Sequence, residues 1–456
     1  MKTKVSMDVV HPFAAGIDVG SRSHFVAIGQ GKEDVKELGV FNEDLLAIAQ
    51  WLLDNGIAHV AMESTGPYWQ NLFSTLQEAG LSVTLCNGKF TKNIKGKKTD
   101  IIDCQWIQKL HMLGLLSGSF LPDAVTEQIR TYCRHRSNLI ELSADSSRKM
   151  QKNLQLLNLR LDVVVNDICG VTGLAIIEAV CQGETDPQAL AALRNGNCKK
   201  TEAEIAKALQ SNKRPDYLFA LKQELQLYKQ YQLQIAACDI EIEKAMQLSI
   251  CMDENKKTLK APAKPYKRAN KNAPKNMDVN QLSYQYFNGV DLMEIEGVSH
   301  STVMALVSEI GAEGFKKFGT AKQFAAWLHL SPNTKITGGK VISSHLSKGS
   351  NRLKIALRNA ANAIGNLKDT HLSNFFKRIS FKKGRAAAIS ATARKLAVII
   401  WNMVVKNIPY KPVTDYLYFN QKRKQKIVAG IRKNITKFSI QPAELGFVTA
   451  SLSVTS

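Results

Sequence analysis

Several things are missing from this sequence, and each absence narrows its class. No apolar run reaches the roughly 20 residues that a membrane-spanning helix needs, so a spanning protein is not expected. The first residues, Met1-Lys2-Thr3-Lys4-Val5-Ser6-Met7, lead into no long apolar core, so no signal peptide is expected. The eight cysteines form no Cys-x-x-Cys pair, and no histidine is spaced to complete a zinc site with them. They read as reduced, mostly buried thiols of a cytoplasmic protein. Acids are scarce: 39 Asp and Glu face 61 Lys and Arg, a net charge of +22. An excess of that size suits a polyanion, nucleic acid above all with a membrane surface as the alternative, and it selects a class of partner and not a reaction. What is present is a large apolar share, 45% of 456 residues, enough for two or three packed domains.

Patterning gives the order of elements. Strand-like runs at Phe13–Asp18, His24–Gly29 and Val35–Phe41 are separated by Gly20-Ser21 and Gly29-Gln30-Gly31-Lys32. A helix over Leu45–Asn55, a strand over Ala58–Met62, a helix over Tyr68–Ala79 and a strand over Leu81–Cys86 follow. After a basic loop (Lys89, Lys92, Lys95, Lys97, Lys98), Thr99 is a reasonable N-cap for a helix reaching about Leu116. The order β-β-β-α-β-α-β-α is that of an RNase H-like α/β domain, expected over residues 10–125. Asp18 ends the first strand, Glu63 ends the fourth, and Asp100 and Asp103 share one face of the last helix. Four acids so placed can hold divalent metal against a phosphodiester, although acids in a first helical turn are as often mere partners of the helix dipole.

The rest is mostly helical. Residues 126–253 form a helical, coiled-coil region. Arg130, Arg134 and Arg136 on its first helix are expected to track phosphates, and Pro215–Ile250 keeps approximate heptads that Gln232 and Asp239 interrupt. Residues 254–285 read as a basic linker or arm, with eight basic residues, three prolines and no acid between Lys256 and Lys275. A mainly α domain is expected over 286–412 and a peripheral tail over 413–456. Within the former, Leu330–Arg352 reads as a hydroxyl- and Gly-rich basic loop running into an amphipathic helix, Asn351–Gly365. Lys348, Asn351, Arg352 and Arg358 are candidate nucleic-acid contacts there.

Taken in order, these stretches resemble the DEDD transposases of bacterial insertion sequences, which join a RuvC-like domain to a serine-containing C-terminal transposase domain. The resemblance rests on Gly16-Ile17-Asp18, Met62-Glu63-Ser64-Thr65-Gly66 and Lys98-Thr99-Asp100-x-x-Asp103. It continues through Ala325-x-x-Leu328-x-Leu330-Ser331-Pro332, Thr337-Gly338-Gly339, Leu346-Ser347-Lys348-Gly349-x-Asn351-x-x-Leu353 and Arg394-Lys395-Leu396-Ala397. It implies a recombinase in which Asp18, Glu63, Asp100 and Asp103 bind Mg²⁺ (or Mn²⁺) and a C-terminal hydroxyl attacks DNA to form a covalent protein–DNA bond. It also implies a structured guide RNA, double-stranded DNA as substrate, homodimers assembling into tetramers, and a place in the bacterial cytoplasm at the nucleoid. Where the family carries serine this chain has Thr337, so Thr337 is the expected nucleophile, with Ser343, Ser344 or Ser347, or an impaired copy, as the alternatives. A RuvC-like junction nuclease using water, or a non-catalytic nucleic-acid-binding protein, are the competing readings.

Overall fold

A computed structural model of the chain describes residues 8–91, 99–262, 271–275, 277–347, 349, 351–412, 415–441 and 444. They divide into two compact units, Met1–Leu121 and Pro122–Ser456.

The first unit is a five-stranded mixed sheet. Its strands are β1 (Ala14–Val19), β2 (His24–Ala27), β3 (Val35–Leu38), β4 (His59–Glu63) and β5 (Ser82–Cys86), in the order β3-β2-β1-β4-β5. The first three pair antiparallel, and β4 and β5 run parallel to β1. Four helices complete the unit: α1 (Asn42–Asp54), α2 (Trp69–Glu78), the one-turn α3 (Gly88–Thr91) and α4 (Asp100–Met112). Side chains alternate across a strand, so Ala15, Ile17, Val60, Met62 and Leu85 face one way. They pack with Leu45, Ile48 and Leu52 of α1 and Leu72, Phe73 and Leu76 of α2. The opposite face, carrying Gly16, Ala61 and Cys86, receives α4 through Ile107. The seat is tight: a Cβ on Gly16 would stand 2.1 Å from Gln108 N and 2.4 Å from Cys104 O. Gln108 Nε2 donates to Ala14 O at 3.1 Å, and Gln30 Nε2 donates to Gln108 Oε1 at 2.7 Å, tying the helix to the sheet.

The second unit opens with α5 (Ala124–Leu156), capped by Asp123, whose Oδ1 accepts from Thr126 N at 2.9 Å. Four short helices follow: α6 (Leu161–Val164), α7 (Val171–Gln182), α8 (Pro187–Ala192) and α9 (Glu202–Ala208). Together with Met150, Leu154, Leu221 and Leu225 they close a small core. Helix α10 (Pro215–Cys251) then returns antiparallel along α5. Gln232 and Asp239, the two breaks in its heptads, meet polar partners there. Gln232 Nε2 donates to Ser143 Oγ at 2.8 Å, and Arg136 Nε donates to Asp239 Oδ1 at 2.5 Å. The seam is therefore an intramolecular helical hairpin whose register those polar pairs fix.

Helices α11 (Glu254–Lys257) and α12 (Val279–Tyr286) flank the basic stretch. Its residues 263–270 lie outside the described set, and its described ends are anchored. Lys271 is ion-paired to Asp167, Asn272 O accepts from Arg136, and Gln281 Nε2 donates to Leu259 O. Beyond come α13 (His300–Glu309), α14 (Gly311–Gly314), α15 (Ala321–Trp327), strands β6 (Pro332–Thr337) and β7 (Lys340–Leu346), α16 (Arg352–Gly365), α17 (His371–Lys383), α18 (Arg385–Lys406) and α19 (Asp415–Phe438). Leu306, Phe315, Phe324, Leu357, Leu396 and Ile400 are fully buried among them. By length and composition alone α18 could cross a membrane, contrary to the expectation that no segment would. It packs instead against α15, α16 and α17 and buries Ala388, Thr392, Ala393, Leu396, Ala397, Ile400, Trp401 and Met403.

Candidate active site

In the first unit the acids gather at one end of the sheet. Asp18 lies in β1 next to Ile17, which pairs with Met62; carried one residue further, that register sets Asp18 beside Glu63. Both sit on the face that α4 covers, because Gly16 and Ala61 do. Asp103 lies in the first turn of α4, whose N-cap Thr99 accepts from Ile102 N at 3.3 Å. Cys104, fully buried beneath this turn, links the group. Burial pushes its thiol up to about 12, and the negative charges of Asp18 and Asp103 add to the effect. Cys86 plays the same part for Glu63: burial and then the Glu63 charge raise its thiol to about 11. The Glu63 carboxylate accepts from Thr91 Oγ1 at 2.5 Å and lies over Gly88. Asp100 stands exposed at the first position of α4. The fold thus brings Asp18, Glu63 and Asp103 to one end of the sheet and leaves Asp100 at its rim.

In the second unit Leu330–Arg352 is not the loop its composition suggested. Residues 332–346 are a free-standing β-ribbon, with Thr337 paired to Lys340 across Gly338-Gly339. Both glycines have positive φ, +55° and +72°, the pattern of a two-residue type I′ turn. Thr337 is exposed at the tip. Of the alternative hydroxyls, Ser343 stands opposite Lys335, Ser344 Oγ lies 3.5 Å from Thr334 Oγ1, and Ser347 Oγ lies 3.0 Å from His329 Nδ1.

Two family models match the chain in series. Residues 15–159, which take in Asp18, Glu63, Asp100 and Asp103, match the DEDD model of IS110 elements, described as a transposase. Residues 291–377, which take in Thr337 and the ribbon, match the one described as the transposase IS116/IS110/IS902 family. The chain belongs to the IS110/IS116 transposase family. Over 126 residues it is also 29% identical to a Pseudomonas aeruginosa protein described as a probable family 20 transposase. That match covers 26% of this chain and 36% of the relative, so the chain spans about a third of the length of the curated relative it matches.

For this family member the arginines of α5 require a correction. Arg130 Nη2 donates to Glu309 O at 2.8 Å and its Nη1 to Glu127 Oε2 at 2.9 Å. Arg134 grips Glu309 with bonds of 3.1 and 2.8 Å, and Arg136 is paired to Asp239. Arg130 and Arg136 are largely covered, at 12% and 11% side-chain exposure, so they hold α5 to α13 and α10 and present no open row of charge. A charge pattern on one helix cannot reveal acids that arrive from distant sequence. Arg134, Arg136 and exposed Arg352 do share a cleft of about 630 Å³, lined also by Ser301, Ser308 and Asn272. Asn351 caps α16, its Oδ1 accepting from Lys354 N at 2.6 Å, and Arg358 Nη1 donates to Ser390 Oγ at 3.3 Å. Lys348 lies outside the described residues.

Four carboxylates are hard oxygen donors of the kind Mg²⁺ and Mn²⁺ take, and the strand register sets two of them, Asp18 and Glu63, side by side. Among the described residues no three His, Cys, Asp or Glu side chains stand close enough to hold one, and the Glu63 side chain is drawn to Thr91. Sequence reading missed Thr91, Cys104, His329 and Lys340. For Lys340 the Gly-Gly pair is a signal that could have placed it opposite Thr337 in a two-residue hairpin; the other three depend on tertiary contact.

Proposed function

We propose that this protein is a DNA recombinase of an insertion sequence, which cuts and rejoins duplex DNA under the direction of a structured RNA. The observation that supports it best is the series of two matches, one over the four acids and one over the Thr337 ribbon. On this reading the first unit is an RNase H-like (RuvC-like) domain. Asp18, Glu63, Asp100 and Asp103 hold Mg²⁺ (or Mn²⁺), which supplies charge neutralisation at the phosphodiester. The Thr337 hydroxyl attacks phosphorus: a Thr337 Oγ–P bond forms, a P–O bond to one sugar breaks, the hydroxyl proton passes to solvent and the departing oxygen takes one up. A strand hydroxyl attacking that adduct reverses the step, so the phosphodiester is rejoined without external energy. Lys348, Asn351, Arg352, Arg358 and Arg134 contact nucleic acid, and the helical hairpin and basic stretch hold RNA and pair subunits into dimers and tetramers in the bacterial cytoplasm.

Two experiments test this. RNA that co-purifies with the protein from cells carrying its native flanking DNA is sequenced; one discrete structured species with segments matching the DNA supports guidance, and a random mixture refutes it. Strand cleavage in Mg²⁺ is then run on denaturing gels. Asp18→Asn and Glu63→Gln should abolish cleavage with an unchanged melting curve, and Thr337→Ala should abolish a protein–DNA adduct that Thr337→Ser retains. Cleavage with no adduct would point to a water-using junction nuclease. The His329–Ser347 contact favours a second assignment, Ser347 as nucleophile with the imidazole taking its proton. An adduct lost in Ser347→Ala and kept in Thr337→Ala would select it.

A further inference from the structure

The β6–β7 ribbon carries an arrangement that the proposed chemistry does not by itself require. Paired residues of an antiparallel ribbon share a face, and alternate residues share it along a strand. The register pairs Asn333 with His345, Lys335 with Ser343 and Thr337 with Lys340, and pairs Pro332 with Leu346, Thr334 with Ser344 and Ile336 with Val341. Ile342 lies at the irregularity between them. One face therefore displays Asn333, Lys335, Thr337, Lys340, Ser343 and His345, wholly polar and cationic. The other displays Pro332, Thr334, Ile336, Val341, Ser344 and Leu346. The ribbon is a separate two-stranded sheet, β6 is exposed throughout, and a Cβ on either turn glycine would meet nothing within 4 Å. An unsupported pair of strands is marginal in water, so it suits a surface completed by a partner. Its setting selects the partner's charge. Residues 314–368 contain ten Lys or Arg and no Asp or Glu.

We infer that the ribbon is a DNA-entering arm: its polar face lies in the major groove of duplex DNA, with Lys335 and Lys340 on the phosphates that bracket the scissile bond and so position it at Thr337. The inference rests on the recombinase reading and adds the element that delivers the hydroxyl. Strands about 4.8 Å apart with side chains on both faces fit a groove about 12 Å wide, which admits a two-stranded ribbon. The major groove of A-form RNA is too narrow for it, which commits the arm to DNA over the RNA partner. Lys340 is the cross-strand neighbour of Thr337, with Cβ atoms about 5 Å apart in such a pair, and Lys335 lies two residues before it on the same face. Two lysines thus stand beside the hydroxyl on one face, one across the ribbon and one along the strand. Both are positioning residues.

The test uses the full-length protein, a random-sequence DNA duplex and an RNA duplex of equal length, with affinity measured across a salt series. The variant Lys335→Gln/Lys340→Gln should bind DNA roughly tenfold more weakly near 0.1 M salt, and its plot of log affinity against log salt should flatten by about two. Its RNA-duplex affinity and melting curve should be unchanged, because the ribbon's side chains support no core. Ile336→Gln/Val341→Gln, on the other face, should keep the wild-type salt slope. Unchanged DNA affinity and slope in the lysine variant, an equal loss on RNA, or an equal slope change from the apolar-face variant would each overturn the arm. Wild-type protein that binds and cleaves DNA under those outcomes leaves the recombinase reading standing; wild-type protein that binds no DNA duplex overturns both.

Discussion

Replacing Gly16 with Ala tests how the fold builds the acid site. The added methyl carbon would begin 2.1 Å from Gln108 N and 2.4 Å from Cys104 O, both backbone atoms of α4. No side chain can swing aside, so the helix itself must move outward by more than about 1 Å to restore van der Waals distance. Overpacking of this kind costs about 1–3 kcal/mol. The Gln108 bond to Ala14 O, already 3.1 Å long, would open and cost about 1 kcal/mol more. A total of roughly 2–4 kcal/mol should lower the melting transition of the first unit by on the order of 10 °C. Differential scanning calorimetry reads it, and the second unit's transition is the internal control. The same displacement carries Asp103 away from Asp18, so Mg²⁺-dependent cleavage should fall below the level that the unfolded fraction explains. Gly16→Ala protein that melts and cleaves like wild type would falsify the claim that α4 is seated on β1 at this glycine.

Two other perturbations probe groups whose burial sets their behaviour. Arg136→Ala leaves Asp239, with a side chain 4% exposed, charged and unpaired. It should lose about 3–5 kcal/mol by urea denaturation, whereas Arg136→Met/Asp239→Leu should recover most of that; equal losses in the two variants would argue against a buried pair. His111 is 4% exposed and stacks on His11 at 4.9 Å; burial, then the neighbouring His11 and His59, hold it down at about 4. A histidine depressed from 6.5 leaves stability intact above that pH. Stability then declines as pH falls toward 4, because the unfolded chain takes up the proton first. The first unit should lose about 2 kcal/mol over that range, allowing for solvent near the cluster. His111→Gln should flatten the dependence, and a variant with the wild-type slope would remove His111 as its source.

The first unit was largely legible because each element carries its own signal. Apolar runs ending at Asp18 and Glu63 mark β1 and β4, Leu45, Ile48, Ala49 and Leu52 mark α1, and Thr99 marks the start of α4. The register that sets Asp18 beside Glu63 has no local signal and emerges only when β4 crosses over to lie parallel to β1. Seeing Gly16 as a contact surface also required knowing which helix would lie on it. In the second unit the heptads of α10 were visible, but not that the breaks at Gln232 and Asp239 are filled by Ser143 and Arg136 about a hundred residues earlier. The ribbon was missed for a different reason. Its hydroxyls, glycines and lysines look like loop composition, and the alternation that makes a strand is masked because both faces are exposed.

Charge was legible in amount and misplaced in location, and the error is informative. Arg130, Arg134 and Arg136 looked like the obvious phosphate-binding row, yet Glu127, Glu309 and Asp239 pair with them, and Arg130 and Arg136 are drawn largely inside the fold. A cation already paired and buried contributes little to the field a polyanion meets. The excess that remains must come from stretches where no acid is near enough to answer it. Residues 314–368 hold ten Lys and Arg and no acid, close to half of the net +22 in about an eighth of the chain, although Lys316 is paired with Glu313 just outside them. Of that stretch, the ribbon projects its lysines with no core behind them. Attraction of nucleic acid to this protein should therefore be governed by the segment around Thr337 more than by the long basic helix, so neutralising Lys335 and Lys340 should change the salt dependence of DNA binding more than neutralising Arg130 and Arg136.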